Sequence, residues 1–187
     1  MILIAGLGNP GNQYNLTRHN FGFNIVDSIK TTLNFPPFID RFNSLYSRKV
    51  VFNENVIILK PMSFMNLSGE SLKKIYNFFK LSTTKDVIVF HDDLDLEFPK
   101  IRIKTTGGHG GHNGIRNIIN LIGPNFYRIK FGIKNKKYVD EKIPADNFVL
   151  SKFETEELEK IEIIKNKILN NFELIVKKEF LSFSENF

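Results

Sequence analysis

The sequence predicts a single three-layer α/β/α domain over residues 1–187, with a mixed, mostly parallel sheet and a C-terminal amphipathic helix. Short apolar runs alternate along the chain with segments whose apolar residues recur at helical spacing. Two neighbouring apolar runs are separated only by Asn53-Glu54-Asn55, which indicates a hairpin and therefore a mixed sheet. The length of 187 residues is ordinary for one domain and suffices to bury a sizeable core.

The predicted strands are either continuous apolar runs, as expected for buried parallel strands, or alternations with one polar face. These strands are Ile2–Ala5, Leu45–Phe52, Val56–Lys60, Asp86–Phe90, a strand around Ile101 and Ile103, and Phe126–Ile133. The predicted helices are Asn20–Leu33, Ser68–Phe79, a helix that follows Asn113 and runs through Leu121, and Glu154–Val176. Asn20, Ser68 and Ser71 are candidate N-terminal caps.

The composition excludes several classes of protein. Hydrophobic residues make up 42% and charged residues 25%, which is typical of a globular domain. Cysteine is absent, which excludes a disulfide scaffold, a thiolate nucleophile and any cysteine-ligated metal. No apolar run approaches the roughly 18 residues of a membrane span, and the N-terminus lacks the basic region of a signal peptide. We therefore expect no membrane association and a cytoplasmic location.

The positive charge is concentrated in one stretch. The chain has 26 basic and 20 acidic side chains, a net charge of +6. The stretch from Phe98 to Val139 contains nine lysines or arginines and no acid, and it accounts for the whole excess. Such a stretch is either a solvated basic face or the binding surface of a polyanion, and we favour the polyanion.

A glycine cluster, Gly6-Leu7-Gly8-Asn9-Pro10-Gly11, follows the first predicted strand. It matches the dinucleotide-binding fingerprint, but that fingerprint requires a helix that opens at the loop. Here the predicted helix begins only near Asn20, so a loop that projects Asn9 above the end of the strand is favoured.

Three further clusters contain all four histidines of the chain. They are Thr17-Arg18-His19-Asn20, the motif His91-Asp92-Asp93-Leu94-Asp95, and the glycine-rich segment Gly107–Gly114 with His109 and His112. The acidic motif suits either a metal ion or a carboxylate that orients a distant imidazole as a general base. The sequence has neither a cysteine nor the G-x-S-x-G serine elbow, so a hydrolase built on these residues would most simply use water as its nucleophile.

Together these motifs resemble the bacterial-type peptidyl-tRNA hydrolase family, over nearly the whole chain. The matching runs are Gly6–Gly11 with Tyr14, Thr17–Gly22, Lys60-Pro61 with Phe64–Gly69, His91–Asp95, Gly107–Gly114, and Phe148–Leu150 with Lys152-Phe153. The resemblance implies an α/β enzyme that hydrolyses the ester between a peptide and the 3′-terminal ribose of tRNA, and so recycles tRNA in translation and ribosome rescue.

The resemblance also implies roles for individual residues. His19 would be the general base that activates water, Asp92 would orient it, and Asn9 would position the ester. Asn66 and Asn113, with Met65, would bind the substrate, and Tyr14 and Phe64 would line the channel near the tRNA 3′ end. Lys104 and Lys130 would hold the 5′-phosphate of the tRNA. No cofactor or metal and no obligate protein partner are implied, and we expect a monomer.

The chain departs from the family pattern at several positions. Ser63 replaces a usual threonine, Thr106 replaces the first glycine of a common triplet, and Lys130 replaces a frequent arginine. The region Gly132-Ile133-Lys134 lacks the usual Gly-x-Pro continuation, so the family pattern does not predict the conformation of the loop Asn135–Asp140. Two other functions remain open: an RNA-binding module without catalysis, which leaves His19 and Asp92 unused, and a dinucleotide-dependent oxidoreductase, which rests on the first glycine cluster alone.

Overall fold

The structure, a computed structural model, describes residues 1–81 and 83–187. Within these residues the strands are β1 (Ile2–Gly6), β2 (Ile39–Asp40), β3 (Ser44–Val51), β4 (Glu54–Pro61), β5 (Val87–Glu97), β6 (Ile101–Lys104) and β7 (Tyr127–Lys134). The helices are α1 (Phe21–Thr32), α2 (Ser68–Phe78), α3 (Asn113–Ile122), α4 (Lys136–Asp140), α5 (Ala145–Val149), α6 (Thr155–Asn170), α7 (Phe172–Val176) and α8 (Phe180–Ser184). Short 3₁₀ turns lie at Asn12–Tyr14, Arg18–Asn20, Met65–Leu67 and Thr84–Asp86.

The sheet is mixed, as the sequence predicts. Its strands lie in the order β2-β3-β4-β1-β5-β7-β6. The four central strands β4, β1, β5 and β7 are parallel, whereas β2, β3 and β6 join the sheet through antiparallel pairs. The carboxyl ends of the parallel strands therefore meet at one edge, which is where α/β folds place their ligands.

Helices cover both faces of the sheet and give the predicted three layers. Along β1, Ile4 faces a cluster that includes side chains of α1, α6 and α7, whereas Leu3 and Ala5 face a cluster with α2 and α3. All three side chains are fully buried. Because successive side chains of a strand point to opposite faces, one short apolar run serves both halves of the core.

Strand β5 is longer than predicted. The prediction ended this strand at Phe90, which is wrong, because the strand runs to Glu97. His91, Asp92 and Asp93 pair with Lys130, Phe131 and Gly132 of β7, so the polar motif continues the strand. A hydropathy pattern cannot show this, because the backbone of β7 supplies the partners whatever side chains β5 carries at its end.

The C-terminal amphipathic helix is present but is not continuous over Glu154–Val176. Helix α6 ends at Asn170, and Asn171 leaves the helical conformation at φ −107° and ψ 17°. The side-chain amide of Asn171 donates to the carbonyl of Lys167, so it competes with the backbone of the last turn. Helices α7 and α8 then follow as separate short elements.

Local details of the loops also differ from the prediction. The turn between β3 and β4 is Phe52-Asn53, with left-handed φ values of 52° and 63°, and not Asn53-Glu54-Asn55. The segment Asn135–Asp140 contains helix α4, which the side chain of Asn135 caps by accepting from Tyr138 N.

The three candidate caps do not cap their helices with their side chains. The amide of Asn20 bonds to the backbone of Asn9. The hydroxyls of Ser68 and Ser71 donate to the carbonyls of Met65 and Asn43. These side chains therefore tie loops together at the edge where the parallel strands end.

Helix α1 lies unusually close to the sheet where β1 ends. A Cβ atom added to Gly22 would lie 2.5 Å from the carbonyl oxygen of Phe90 and 2.6 Å from that of Leu7. The backbone of Leu7 bonds to both neighbours, since its N–H donates to Phe90 O at 3.0 Å and its carbonyl accepts from Phe23 N at 3.2 Å. This close approach requires glycine at position 22.

We expect Gly22→Ala to lower the free energy of unfolding by about 3 kcal/mol, because the added methyl group forces the helix away from two backbone carbonyls. The matched control is Gly108→Ala, where an added Cβ would meet nothing within 4 Å. Chemical denaturation measures both changes. Equal stabilities of the two variants would contradict the close approach.

Candidate active site

The 3₁₀ turn Arg18–Asn20 places His19 directly before α1 and beside Asp92 in the middle of β5. His19 Nδ1 lies 2.8 Å from Asp92 Oδ1 and 3.0 Å from Oδ2. The side chain of Asp92 is only 2% exposed, and that of His19 is 10% exposed. Residues 73 positions apart in the chain thus form a buried imidazole–carboxylate pair.

A second imidazole shares the same carboxylate. His112 Nε2 lies 3.1 Å from Asp92 Oδ1. His112 Nδ1 accepts a hydrogen bond from the N–H of Ile115, so the proton of neutral His112 is on Nε2 and is donated to Asp92. The sequence placed His112 in the glycine-rich cluster but assigned it no role. A histidine beside glycines gives no signal of which carboxylate it contacts.

The carboxylate fixes the proton of His19 on Nδ1. An ionised carboxylate accepts hydrogen bonds and does not donate them, so neutral His19 is protonated at Nδ1 and carries its lone pair on Nε2. Burial opposes the charged form of His19, but the charge of Asp92 and its hydrogen bond outweigh this and raise the pKa of His19 above its ordinary value of 6.5.

The other buried groups have pKa values shifted in the opposite direction. Burial opposes the ionisation of Asp92, but the His19 charge and the bonds from both imidazoles hold the pKa of Asp92 far below its ordinary range. Burial lowers the pKa of His112, and it lowers that of His91 well below its ordinary value. His19 is therefore the imidazole of this cluster that accepts a proton most readily.

The same three side chains could offer ligands to a metal ion. His19, Asp92 and His112 provide three ligand atoms within 4.8 Å of one another. Both imidazole N–H groups already donate to the carboxylate, so a metal ion would have to replace two hydrogen bonds. The mutual hydrogen bonds fit a general base better than a metal centre.

Asn9 is held so that its amide nitrogen is available. Asn9 Oδ1 accepts from the backbone N–H of Met65 at 2.8 Å. The side chain of Asn20 forms two hydrogen bonds with the backbone of Asn9. Its Oδ1 accepts from the Asn9 N–H at 2.8 Å, and its Nδ2 donates to the Asn9 carbonyl at 2.9 Å. In the described part of the chain, Asn9 Nδ2 has no hydrogen-bond acceptor and is free to donate. Asn20 is thus a supporting residue, which its interpretation as a helix cap missed.

A cleft of about 130 Å³ opens beside the pair. It is lined by His19, Asp92, Asp93, Leu94, Gly110, Gly111, His112, Asn113, Ala145, Asp146 and Val149. The structure therefore brings three of the predicted site residues, His19, Asp92 and Asn113, to one cavity. The contribution of α5 through Asp146 was missed, because no sequence pattern links that short helix to the histidines.

The remaining predicted residues lie around this cavity or farther along the sheet. Phe64 is 57% exposed and Asn66 is exposed, while Tyr14 is half-buried. Met65 is buried, so it meets the site through its backbone N–H. Met65 contacts Asn9, and none of these four residues lines the cleft itself.

Basic side chains lie on β6 and β7, the strands that precede and follow the glycine-rich segment in the sequence. The register pairs Lys104 with Arg128 and Arg102 with Lys130, so all four point from the same face of the sheet. Lys104 and Arg102 are exposed, whereas Lys130 forms an ion pair with Asp93. The basic face is real, but one of its two predicted phosphate ligands is already paired.

Arg128 belongs to the interior and not to the basic surface. Its guanidinium donates to the carbonyls of Gly107 and Gly108 at 2.8 Å and to that of Pro124 at 3.2 Å. The residue is 1% exposed. It thereby holds the glycine-rich segment that carries His112, a role that counting basic residues could not reveal.

Arg18 ties the turn that carries His19 to the C-terminal helix. Its guanidinium donates to both oxygens of Glu157, at 3.0 Å and 2.6 Å. It also lies 4.4 Å from the ring centroid of Phe148 and 4.8 Å from that of Phe153. A buried, bidentate and ring-stacked arginine next to His19 fixes the position of the imidazole.

The glycine cluster after β1 does not have the dinucleotide-binding arrangement. The chain passes from Gly11 into two 3₁₀ turns, and α1 begins only at Phe21. Helix α1 therefore does not open directly from the loop, and the N–H of Phe23 in its first turn already donates to the carbonyl of Leu7. This observation removes the basis of the oxidoreductase interpretation.

Fold and site together define an α/β protein with a His–Asp pair at the carboxyl edge of its parallel strands, beside a basic face. The sequence profile of the family described as peptidyl-tRNA hydrolase matches residues 3–187. The peptidyl-tRNA hydrolase of Fusobacterium nucleatum is 44% identical over 170 residues, which cover 91% of this chain and 86% of the relative. That of Ehrlichia chaffeensis is 40% identical and covers 98% of this chain and 91% of the relative.

Solved structures agree with the sequence comparison. The crystal structure of peptidyl-tRNA hydrolase from Acinetobacter baumannii superposes with a TM-score of 0.88 at 34% identity, and the match covers 100% of this chain and 93% of that one. The chain therefore belongs to the peptidyl-tRNA hydrolase family. The structure contains no helix, in the residues it describes, that is long and apolar enough to cross a membrane.

We expect Glu157→Gln to lower the free energy of unfolding by about 3 kcal/mol, because it leaves the buried Arg18 guanidinium without a charged partner. Glu159→Gln, on the exposed side of α6, is the control and should change it by less than about 0.5 kcal/mol. Denaturant titration compares the two variants. A Glu157→Gln protein as stable as the control would contradict the proposed anchoring role of this ion pair.

Proposed function

We propose that this protein hydrolyses the ester bond between a peptide and the 3′-terminal ribose of tRNA, with water activated by His19 and Asp92. Family membership supports the substrate class. The observation that supports the mechanism is the contact of His19 Nδ1 with both oxygens of Asp92, at 2.8 Å and 3.0 Å, which leaves Nε2 at the cleft.

The reaction begins when water loses a proton to His19 Nε2 as its oxygen attacks the ester carbonyl carbon. The imidazolium that forms is stabilised by the buried charge of Asp92. When the tetrahedral intermediate collapses, the bond from the carbonyl carbon to the ribose oxygen breaks, and His19 returns its proton to that oxygen. The products are a free peptide carboxylate and tRNA with its 3′-terminal hydroxyl.

Asparagine side chains stabilise the oxyanion of that intermediate. Asn9 Nδ2 is a donor with no acceptor in the described residues, and its orientation is fixed because Oδ1 is held by Met65 N–H. Asn113 lines the cleft and supplies a second amide. Amide groups suit this role because they donate hydrogen bonds without competing for the proton that His19 carries.

His112 acts as a positioning residue for Asp92. Its N–H shares the carboxylate oxygen that faces His19, so Asp92 cannot rotate away without losing two hydrogen bonds. Arg128 supports His112 by holding the carbonyls of the glycine-rich segment.

The tRNA occupies the exposed surface around the cleft. Phe64, Asn66 and Tyr14 receive the 3′ end, and Met65 contributes through its contact with Asn9. On the other side, Lys104 and Lys130 hold the 5′-phosphate. Phosphate contacts give affinity without reading base sequence, which suits an enzyme that acts on many tRNAs.

We also propose the remaining properties that the sequence predicts for this protein. They are a role in ribosome rescue, a single domain over residues 1–187, a monomeric state without an obligate protein partner, a cytoplasmic location, and catalysis without a metal or cofactor. An RNA-binding module without catalysis is less well supported, because it gives the buried His19–Asp92 pair no task.

We expect His19→Asn to reduce hydrolysis of N-acetyl-aminoacyl-tRNA on the order of a thousand-fold, because the variant lacks the general base, while tRNA binding is retained. His109→Asn, in the glycine-rich segment but outside the cleft, is the matched control and should keep its activity. Single-turnover assays in EDTA measure both variants, with free aminoacyl-tRNA as a substrate that should not be cleaved. Retained turnover in His19→Asn, or loss of turnover in EDTA, would contradict the mechanism.

The pH dependence follows from the raised pKa of His19. A general base must be neutral, so kcat should fall as the pH drops through a value above the ordinary 6.5 of histidine. Asp92→Asn removes the charge that raises this pKa, so the acid limb should move to lower pH while kcat drops at least about a hundred-fold. An acid limb that stays in place in Asp92→Asn would show that another group titrates.

A further inference from the structure

Asp93 holds two different parts of the molecule with its two carboxylate oxygens. Oδ1 accepts from the backbone N–H groups of Asp95 at 2.9 Å and Leu96 at 3.1 Å. Oδ2 forms the ion pair with Lys130 Nζ. The Asp93 side chain is 7% exposed and that of Lys130 is 17% exposed, so the pair is largely removed from solvent. The carboxylate is fixed, whereas Lys130 has a flexible stem.

This ion pair joins the basic face to the catalytic cleft. Lys130 lies opposite Arg102 on the face that carries Lys104. Asp93 lines the cleft together with His19, Asp92 and His112. The Asp93 charge reaches the imidazole of His112, which lies beside His19: burial lowers the pKa of His112, and the charge of Asp93 acts in the opposite direction.

We propose that the 5′-phosphate of the bound tRNA takes Lys130 away from Asp93, and that the released carboxylate charge stabilises the imidazolium that forms on His19. The inference rests on the proposed function, and it makes Asp93 the residue that couples recognition of the 5′ end to catalysis at the 3′ end.

Charge balance gives the direction of this coupling. In the free enzyme, Lys130 and Asp93 neutralise each other at the edge of the cleft. When the lysine turns to the phosphate, a negative charge remains beside the imidazoles, held in place by two backbone N–H groups. His19 is neutral before the reaction and positive in the transition state, so the released charge favours the transition state over the ground state.

The coupling determines whether the free energy of phosphate binding lowers KM or raises kcat. Because one ion pair is broken for each one made, the phosphate adds little to affinity through Lys130. The gain instead appears in kcat, as binding energy of a remote group used at the reacting centre. Lys104, which has no acidic partner in the residues that the structure describes, contributes to affinity directly.

The test compares N-acetyl-aminoacyl-tRNA with and without its 5′-phosphate. For the unmodified protein, we expect the phosphate to raise kcat about ten-fold, within the range of ordinary coupling free energies, and to lower KM only through its contact with Lys104. For Asp93→Asn, the kcat effect should vanish and the phosphate should lower KM further, because Lys130 then adds to affinity as well. The amide introduced by Asp93→Asn retains an oxygen that can hold the turn, and a denaturation curve verifies folding.

Asp95→Asn is the matched control. It removes one negative charge from an exposed side chain two residues after Asp93. This variant should behave as the unmodified protein. Lys130→Met gives the opposite sign: Asp93 is then released permanently, so kcat for tRNA without the phosphate should rise.

Salt dependence of tRNA binding provides a readout that does not need catalysis. In Asp93→Asn, Lys130 makes a phosphate contact without breaking an ion pair, so the slope of log affinity against log salt should steepen by about 0.9. An unchanged slope, or a phosphate effect on kcat that persists in Asp93→Asn, would overturn the coupling while leaving the hydrolase function intact. No cleavage by the unmodified protein would overturn the proposed function instead.

Discussion

The close approach of α1 to the end of β1 and to β5 at Phe90 sets the position of the site residues. Gly6 and Gly22 face each other there, and a Cβ atom on Gly6 would meet the carbonyl of Gly22 and lie 2.8 Å from Val26 Cγ2. The backbone of Leu7 bonds both to β5 and to α1. Because the turn Arg18–Asn20 leads directly into this helix, the imidazole of His19 reaches the carboxylate of Asp92 in the middle of β5.

Given that constraint, Asp92 organises the chemistry. Its carboxylate accepts from two imidazoles, and these bonds assign the proton of each ring. A buried carboxylate without such partners would be costly, whereas here burial strengthens its interaction with the imidazolium that catalysis requires. The same principle explains Arg18 and Arg128, which are buried cations held by Glu157 and by backbone carbonyls. These contacts fix the segments that carry His19 and His112.

Much of the fold follows from the sequence, because buried strands and helices carry apolar residues in continuous runs or at a regular spacing. Ile2–Ala5 is apolar throughout and forms a central parallel strand. The alternation around Ile101 and Ile103 predicts a strand with one apolar and one basic face, and this strand is β6 at the edge of the sheet. The position of His19 beside Asp92 came from motif resemblance and is found in the structure. The continuation of β5 through Asp93 was not predictable, since its partners are backbone groups of a strand that lies far along the chain.

The internal ion pairs were equally hidden from sequence patterns. Lys130 was predicted to face a phosphate, and the structure pairs it with Asp93. Arg128 was counted in a basic surface, and it is buried against carbonyls. A side chain's partner depends on strand register, which composition and spacing do not specify. The sequence therefore predicts that a residue makes a polar contact more reliably than it predicts which partner that residue contacts.

The catalytic role of His19 requires that Asp92 hold its proton on Nδ1 and leave Nε2 free to accept a proton. The most direct measurement is ¹⁵N NMR of the histidine rings across a pH titration, with each signal assigned by replacement of one histidine at a time. We expect neutral His19 to be protonated at Nδ1 and its pKa to lie above 6.5, whereas His91 and His112 should titrate below that value. A neutral His19 protonated at Nε2, or a His19 pKa below 6.5, would contradict this expectation.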